Sequence, residues 1–584
     1  MDFTPLSTQS FYGHSYANIA SALEAVEANQ GNGLIDIAII PPIADYNTDE
    51  DDVDSDDITQ AQLPNDVPGT IDLFFHECEY DTEDDIPISE LKKSLIAEKP
   101  SIPQWSDAPC NRDMAATYDF ERNMREMKAQ LENRNPVEIF ETLFDEDVVK
   151  LILEQTRLYA VQNNRHNFKF EENDLKIFVG ILFYSGYHSM PTERMYWELA
   201  EDTASEIISG SMARNRFYDI KRNMHLADNT NINPADKMAK LRPLMNLLCQ
   251  KFKKWGIMHK DLSIDEAMVE YFGHHSSKQC IRGKPVRFGF KNWMLTSSCG
   301  YLYSFDTYCG AKNVNPETAC LPLGSRVVLQ LLAPIESPTD HIIYFDNFFS
   351  SYELFRTLKQ NGFRATGTVR ENRVKKCPLK PKKEVQKLPR GYYEFKHDTN
   401  SGIIFVKWND NNAVIVGSNF DDVEPLNQVK RWSLAEKKKI NVPQPRLIAN
   451  YNAGMGGVDL HDQSVNAYRI RIRSKKWWWS LFTWMLNATM VNAWKLYRTM
   501  GNGKEDLLTF QRYVTRHYLR HYTVPTTSKR SVVPSVAKST GPHFPKKITN
   551  QLRCKVCSMR SRWICEMCNV ALCLERDCFK NFHI

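Results

Sequence analysis

The stretch His341–Phe349, "HIIYFDNFF", places an acidic residue at the end of an apolar run. Its residues Ile342 to Phe345 carry the β-branched and aromatic side chains that are typical of a buried strand. Asp346 follows directly and precedes two further aromatic residues, where an isolated charge costs free energy. Two roles fit this acid, a strand-end turn or helix N-cap before "SSYELF" and a functional carboxylate. The local pattern leaves both open.

The segments on either side of this stretch predict a mixed sheet. Upstream, "LSIDEAMVEYF" (262–272), "KNWMLTSSC" (291–299) and "YLYSFDTYCG" (301–310) read as three consecutive strands. Next, "GSRVVLQLLAPI" and "SYELFRTLKQNG" predict helices on either side of the opening strand, and "FRATGTVR" predicts a further strand. The order β-β-β-α-β-α-β, with parallel strands added through crossover helices, is that of the ribonuclease H-like fold.

The rest of the chain divides by composition and periodicity. Apolar residues three and four apart predict helices before and after the sheet, and a Lys/Pro stretch introduces an inserted group of short strands. The predicted fold class is α/β, an RNase H-like core with flanking helical and zinc-binding domains. The predicted regions are an acidic disordered segment (1–118), a helical domain in two parts (119–260 and 468–525), the core in two parts (261–371 and 443–467), an inserted β module (372–442), a linker (526–550) and a cysteine-rich zinc domain (551–584).

Charge is distributed unevenly along the chain. The net charge is +3, yet residues 1–100 hold 22 acidic and 3 basic side chains, so the remainder is strongly basic. A basic body suits a polyanionic partner, whereas an acidic, weakly periodic segment is typical of disorder. Simple solvation of the acidic segment is the alternative.

The segment Trp477–Trp494 contains 18 uncharged residues, a length that could span a membrane. It carries Ser, Thr and Asn side chains and runs into the basic continuation "KLYRTM", which favours a buried helix of a large domain. The N-terminal "MDFTPLSTQS" lacks the basic and apolar regions of a signal peptide, so we expect reduced thiols and no membrane partner.

Acidic residues are predicted to converge at one edge of the sheet. Asp265 lies in the first predicted strand and Asp346 ends the fourth, while "YNAGMGGVDLHD" offers Asp459 and Asp462 on one helical face. Three carboxylates held together repel one another unless a cation neutralises them, and oxygen ligands suit Mg²⁺ or Mn²⁺. Such ions promote in-line phosphoryl transfer, which indicates chemistry on a polynucleotide. Solvated helix charges are the alternative for Asp459 and Asp462.

The cysteines cluster at the C-terminus, where two CxxC pairs are typical of zinc sites. The candidate Zn²⁺ ligands are Cys554, Cys557, Cys565, Cys568, Cys573, Cys578 and His583. Seven ligands are one short of two tetrahedral sites, so an eighth must come from Asp577, an upstream histidine or a partner chain. A disulfide set is the alternative, and the lack of a signal peptide disfavours it.

Several of these segments together resemble the piggyBac family of DNA transposases and their domesticated relatives over about residues 120 to 584. They are "SIDEAMVEYFG", "RGKPVRFGFK", "FDNFFSS", "ATGTVREN", "YNAGMGGVDLHDQ" and the cysteine tail. The resemblance implies an RNase H-like core whose metal-binding DDD triad is Asp265, Asp346 and Asp459, with Asp462 as a further acid. It implies nicking at transposon 3′ ends, hairpin formation and opening, insertion at TTAA and scarless excision.

The resemblance also implies contacts with double-stranded DNA. Trp477 matches a tryptophan that packs against the DNA end, and its neighbours Lys475 and Lys476 suit phosphate contacts. Arg370 and Arg373 match basic positions near the target DNA, with surface solvation as the alternative. Trp478 and Trp479 are expected to pack inside a helical domain, and "RGKPVRFGFK" (282–291) is expected to contact phosphates.

The resemblance further implies an assembly of at least two chains, because two transposon ends must be held together, and a tail that docks on terminal inverted repeats. Nuclear import is expected, although "SKRSVVPSVAK" and "PKK" are weak signals. Two alternatives stay open: a domesticated DNA- or chromatin-binding protein that does not transpose, and an RNase H-like nuclease without strand transfer. A protein-binding zinc module is the alternative for the tail.

Overall fold

The computed structural model describes residues 14–16, 34–40, 70–76, 102–108, 120–256, 259–281, 286–310, 321–433, 436–522, 542–557 and 559–583. The chain divides into two compact units, residues 1–523 and residues 524–584. Most of the acidic segment and Arg282 to Pro285 of the predicted phosphate-contact segment lie outside the described residues. Within the segment predicted to be disordered, β1 (His14–Tyr16), β2 (Leu34–Ile40) and β3 (Thr70–His76) form an antiparallel sheet in the order β1-β3-β2.

Helices form the first part of the larger unit, as their periodicity predicts. They are α1 (Phe120–Leu131), α2 (Pro136–Leu143), α3 (Glu146–Gln162), α4 (Glu172–Tyr187), α5 (Glu206–Ser211), α6 (Arg214–Asn223) and α7 (Arg242–Trp255). Helix α2 begins at Asn135, whose side chain accepts hydrogen bonds from the Val137 and Glu138 amides, while Glu138 accepts the Asn135 amide. This capping box satisfies amides that the first turn leaves unpaired.

A ten-stranded mixed sheet forms the centre of the unit. Its strands are β4 (Trp105–Ser106), β5 (Asp261–Glu270), β6 (Gln279–Cys280), β7 (Phe288–Ser297), β8 (Leu302–Thr307), β9 (Ile342–Phe345), β10 (Arg364–Thr368), β11 (Tyr393–Asp398), β12 (Ile404–Asn409) and β13 (Ala413–Ser418). The order is β4-β11-β12-β13-β10-β9-β5-β7-β6, and β8 pairs with β7. All four residues of β9 are buried, as its apolar run predicts.

The strands around β9 follow the predicted order. Strand β5 is antiparallel to β7 and parallel to β9, and β10 adds in parallel on the far side of β9. The connections pass through α8 (Leu323–Leu332) and α9 (Tyr352–Gln360). Parallel neighbours need such crossover helices. The carboxyl end of β9 lies beside the middle of β5, because Phe345 is opposite Ile264 and β5 continues to Glu270.

The inserted strands extend the central sheet instead of forming a sheet of their own. After the short helix α10 (Lys382–Val385), strands β11 to β13 fold back and β13 pairs with β10 through Thr366 and Ser418, whose hydroxyls are 3.0 Å apart. This pairing covers an edge of β10 that would otherwise expose unpaired amides and carbonyls. Among the described strands of this region, β14 (Asn427–Ser433) and β15 (Lys438–Gln444) form a separate two-stranded ribbon.

Helices complete the unit: α11 (Arg446–Gly454), α12 (Gly457–Ala467), α13 (Trp479–Thr499) and α14 (Leu507–His521). Helix α13 contains most of the uncharged tryptophan-rich run, and it is buried on nearly every side, including Trp479 and Trp484. None of the described helices combines the length and hydropathy that a membrane crossing needs. Burial inside a large domain thus accounts for the missing charges.

The second unit is small. Strands β16 (Pro545–Arg553) and β17 (Arg560–Cys565) pair antiparallel, and helix α15 (Cys578–His583) ends it. Its compact core consists mostly of cysteines, with Leu572 fully buried among them. So few apolar side chains cannot stabilise a domain of this size, which points to stabilisation by metal.

Candidate catalytic edge and metal centres

The predicted acids Asp265 and Asp346 lie on neighbouring strands. Strands β5 and β9 run parallel with Ile264 opposite Phe345, so each aspartate comes one residue beyond that pair. Both side chains are half-buried. The structure therefore places these two residues next to each other, at the carboxyl end of β9 and in the middle of β5.

Backbone amides orient both carboxylates. Asp265 Oδ1 accepts a hydrogen bond of 2.8 Å from the Glu266 amide, and Asp346 Oδ1 accepts one of 2.8 Å from the Phe348 amide. The second bond is an Asx turn, so the turn-forming role of Asp346 is real, but Ser351 caps the following helix through the Leu354 amide. A carboxylate with one oxygen in a turn keeps further lone pairs for another partner.

Tyr451 of α11 lies close to both aspartates. Its hydroxyl is 3.4 Å from the Thr368 hydroxyl. Burial, and then the negative charges of Asp346 and Asp265, hold the pKa of Tyr451 above its usual range, although the Thr368 contact opposes this. Tyr451 is therefore a neutral hydrogen-bond donor beside two carboxylates at neutral pH.

The other two predicted acids lie on α12, which packs against the same sheet. Asp459 is exposed in the first turn and Asp462 is half-buried one turn later. Ser263 of β5 donates a hydrogen bond of 2.6 Å to the Met455 carbonyl just before the helix. A Cβ on Gly457 would lie 2.1 Å from the Ser297 carbonyl oxygen, so only glycine permits this approach.

The carboxylates do not form a closed cluster. In the described part of the chain, the groups of three or more ligand atoms within 4.8 Å of one another both lie in the second unit. Asp265 and Asp346 offer the oxygen ligands that Mg²⁺ and Mn²⁺ prefer, and an exposed Asp459 on a helix packed against their sheet can complete such a site with water and substrate oxygens. The donor set fits a divalent cation.

The predicted DNA-contacting arginines brace the loop after Asp346. Arg370 Nε donates to Asn347 Oδ1 at 3.3 Å, and Arg373 Nη1 donates to the Phe348 carbonyl at 2.8 Å. Both arginines are half-buried. Both arginines therefore stabilise the loop that directly follows Asp346.

The structure separates the roles of the adjacent residues Lys475, Lys476 and Trp477. Lys475 is exposed, as a phosphate contact requires, but Lys476 is only 1% exposed. The Lys476 ammonium donates to the carbonyls of Lys221, Arg222 and Met224 at 2.7 to 3.0 Å. The prediction that Lys476 contacts DNA is therefore wrong for this structure, because its charge stabilises the C-terminal end of α6.

Trp477 is largely covered. Its ring stacks on His275 with centroids 4.1 Å apart and is 9% exposed. Trp478 and Trp479 are 1% and 3% exposed, which confirms that they pack inside the unit. Contact between Trp477 and a DNA end therefore requires displacement of His275 or approach along the ring edge.

A cavity of about 480 Å³ adjoins Trp477. Its lining includes Arg469, Arg471 and Arg473 along one segment and Tyr271 opposite. These arginines were not predicted as site residues. The alternation in "RIRIRS" could have indicated them, because Ile470 and Ile472 are buried while Arg471 and Arg473 are exposed.

The second unit holds two complete groups of four potential ligands. Cys554, Cys557, Cys573 and Cys578 form one group, and His543, Cys565, Cys568 and His583 form the other. His543 supplies the missing eighth ligand, one of the three alternatives that the sequence left open. Ligands of the two groups alternate along the chain, so each group ties together distant segments.

The electrostatics of the first group favour a cation. Burial and then the neighbouring sulfurs raise the pKa of Cys573 to about 12 and of Cys578 to about 11. Burial opposes it, yet the Cys557 and Val556 amides lower the pKa of Cys554 to about 6. The Cys557 and Cys573 sulfurs are 3.5 Å apart, too far for a disulfide of about 2.05 Å. Zinc fits both groups, since it favours tetrahedral thiolate and imidazole ligands.

Comparisons with known proteins show which chains are similar to this one. The transposase IS4 family model matches residues 135–494. Human piggyBac transposable element-derived protein 3 is 37% identical over 457 residues, which cover 77% of this chain and 76% of that protein. Human piggyBac transposable element-derived protein 2 is 34% identical over 584 residues, covering 98% of each chain.

A solved structure has the same fold. The cryo-EM structure of a piggyBac transposase synaptic complex with hairpin DNA superposes with a TM-score of 0.56 at 21% identity, covering 77% of this chain and 97% of that chain. At this identity the match concerns the fold, a mixed α/β architecture built on a large sheet.

Proposed function

Because the chain belongs to the piggyBac family of transposases, we propose that it is a cut-and-paste DNA transposase with an RNase H-like catalytic core. The observation that carries the proposal is the pair Asp265 and Asp346, which lie next to each other where β9 ends beside the middle of β5, a strand against which the helix bearing Asp459 packs. We propose nicking at transposon ends, hairpin formation and opening, and insertion at TTAA sites.

Asp265, Asp346 and Asp459 would hold Mg²⁺ or Mn²⁺, and Asp462 would support them from the next turn of the helix. When bound, such ions activate a water or a 3′-hydroxyl and stabilise the leaving oxygen. The chain's own contribution is orientation, because the Glu266 and Phe348 amides fix the carboxylates before substrate arrives. Tyr451 adds a neutral donor that can bind a nonbridging phosphate oxygen.

The remaining assignments follow from the same proposal. Lys475, Arg370 and Arg373 would contact the DNA backbone, and Trp477 would pack against the DNA end once His275 yields. The zinc-binding tail would dock on the terminal inverted repeats, and two or more chains would hold the two ends in the nucleus. The exposed position of Lys475 supports its role, while the burial of Lys476 excludes it from this set.

Excision of a reporter flanked by TTAA and bearing candidate cognate ends tests the proposal. Wild type should restore a single TTAA at the donor site, and Asp346→Asn should abolish this while the protein stays folded. Asp202→Asn is the matched control, since it removes one charge from an exposed carboxylate outside the edge. Cutting without TTAA insertion products would indicate a nuclease that lacks strand transfer.

A DNA- or chromatin-binding protein that does not transpose is the second candidate. Two observations favour it: the two human relatives are named as transposable element-derived proteins, and the acids do not form a closed cluster. Failure of the folded wild type to excise verified cognate ends, together with retained DNA binding, would replace the first proposal by the second.

A further inference from the structure

The two-stranded ribbon β14–β15 has two faces of different character. Lys430 pairs with Asn441 and Trp432 pairs with Lys439, so these four side chains share one face. Val429 with Val442 and Arg431 with Ile440 form the opposite face. Along β14 the residues alternate between exposed and half-buried without interruption from Gln428 to Ser433.

The inner face fixes the ribbon to the sheet. Val442 is buried in a small apolar cluster, and Val429 and Ile440 pack against it. Arg431 Nε forms an ion pair of 2.9 Å with Asp410 Oδ2, and Trp408 Nε1 donates to the Pro443 carbonyl at 2.9 Å. The ribbon therefore has one defined orientation on the larger unit.

The outer face is polar, basic and exposed. Gln428, Lys430, Trp432, Lys439 and Asn441 are all exposed, and none of the five is acidic. Trp432 is 55% exposed, which leaves a large aromatic surface in water. Lysines on unpaired strand edges also prevent aggregation, but that role does not account for an exposed tryptophan between them.

The ribbon is continuous with the catalytic helices. Strand β15 ends at Gln444 and helix α11, which carries Tyr451, begins at Arg446. The Arg446 guanidinium pairs at 3.0 Å with Asp421, whose side chain is fully buried. This ion pair fixes the start of α11, which directly follows the ribbon and leads to Asp459.

We propose that the outer face of the ribbon enters a groove of duplex DNA and reads base edges there, an inference that rests on the proposed function. A two-stranded ribbon fits the major groove, where Gln and Asn can pair with adenine, Lys can contact guanine or phosphate, and an aromatic ring can contact thymine methyl groups. All of these side chains occur on the exposed face, opposite the face that anchors the ribbon.

Salt dependence of binding by the full-length protein tests the phosphate part. Duplex DNA carrying the cognate end is titrated by fluorescence anisotropy at several salt concentrations. In Lys430→Gln with Lys439→Gln, the slope of log K against log salt should decrease by about 1.8, since each phosphate contact contributes about 0.9. Lys438→Gln is the matched control: it removes the same charge from the opposite face, where Lys438 pairs with Glu436 at 2.9 Å, and should leave the slope unchanged.

Base reading is tested by binding selection from randomised duplexes. Gln428→Ala with Asn441→Ala should reduce the preference at the contacted base pairs by about five- to 150-fold while the salt slope stays near that of wild type. Trp432→Ser should weaken binding most to duplexes that carry thymine at the contacted position. Equal thermal unfolding of all variants and wild type establishes that these exposed changes do not alter the fold.

The outcomes separate the inference from the function on which it rests. Normal excision and DNA binding by every outer-face variant would overturn the ribbon assignment and leave the transposase proposal intact. A loss from Lys438→Gln as large as that from Lys430→Gln would also overturn it, as would effects confined to RNA or protein binding. Weakened DNA binding by the outer-face variants in the Asp346→Asn background would support the ribbon assignment even without excision.

Discussion

The cysteine-rich tail and the catalytic edge of the sheet differ in how far each is assembled before any metal binds. The tail contains two groups of four potential ligands, and within each group the ligand atoms all lie within 4.8 Å of one another. At the edge, Asp265 and Asp346 adjoin while Asp459 stays exposed on the neighbouring helix. One region has the geometry of a finished metal centre, and the other has the geometry of a site that substrate completes.

The chemistry of the ligands explains the difference. Neighbouring thiols can stay protonated, as the raised pKa of Cys573 illustrates, so they can pack together without a large repulsion. Carboxylates are ionised at neutral pH and repel one another when no cation is present. A hydrolytic site also needs open coordination positions for water and substrate, whereas a structural zinc site needs none.

Removal of tail metal should give the largest effect of all. We expect two zinc ions per full-length chain by elemental analysis, and His543→Ala should reduce this to one because it leaves the second group with three ligands. Binding of a structural zinc contributes about 10 to 16 kcal/mol, so chelation should unfold residues 542–583 and raise their hydrogen exchange.

Cys299→Ser provides the control for this experiment, since Cys299 belongs to neither group and should keep both ions. A single zinc in the wild type, or two zinc ions retained by His543→Ala, would contradict the assignment of the second group.

Substitution of Lys476 tests how much the hydrogen bonds of its side chain contribute to the free energy of unfolding. Lys476→Met should lower the free energy of unfolding by roughly 2 to 4 kcal/mol, because three carbonyls at the end of α6 lose their charged donor. Lys475→Met, one residue away and exposed, should change stability by less than about 0.5 kcal/mol and weaken DNA binding instead. Urea unfolding followed by tryptophan fluorescence measures the stability of both variants. Equal stability losses would refute the distinction between Lys475 and Lys476.

Local sequence predicted those features whose causes are local. The apolar run before Asp346 indicated a buried strand that ends at an acid, and the tryptophan-rich run indicated a buried helix. Lys476 was misjudged because its partner Lys221 lies 255 residues away, and a basic pair beside a tryptophan has the same appearance whether it faces DNA or a helix end.

Two further features depend on contacts that are distant in the sequence. His543 lies 22 residues before Cys565 in a segment with the composition of a linker, so no spacing pattern marks it as a ligand. Each of the inserted strands β11 to β13 was predicted as a strand from its own sequence. Their addition to β10 follows from the need to cover that strand's edge, which becomes apparent only once the central sheet is assembled.

The pH dependence of the stacking of His275 on Trp477 is the most gradual effect we predict, because it is spread over the range from pH 6.5 to about 4. Burial, followed by the charge of Lys237, lowers the pKa of His275 to about 4 from an ordinary value near 6.5. The unfolded chain therefore binds a proton first, and the stabilisation from neutral His275 is complete above pH 6.5 and is lost as the pH falls toward 4. The slope contributed by this one residue is at most about 1.4 kcal/mol per pH unit.

His275→Phe keeps an aromatic ring on Trp477 and removes the titrating group, so it should flatten this part of the stability profile between pH 6.5 and 4. The measurement is urea unfolding at successive pH values. An unchanged slope in His275→Phe would mean that His275 does not carry the acid sensitivity. A flattened slope in His275→Phe would identify His275 as the group whose protonation destabilises the stacking on Trp477.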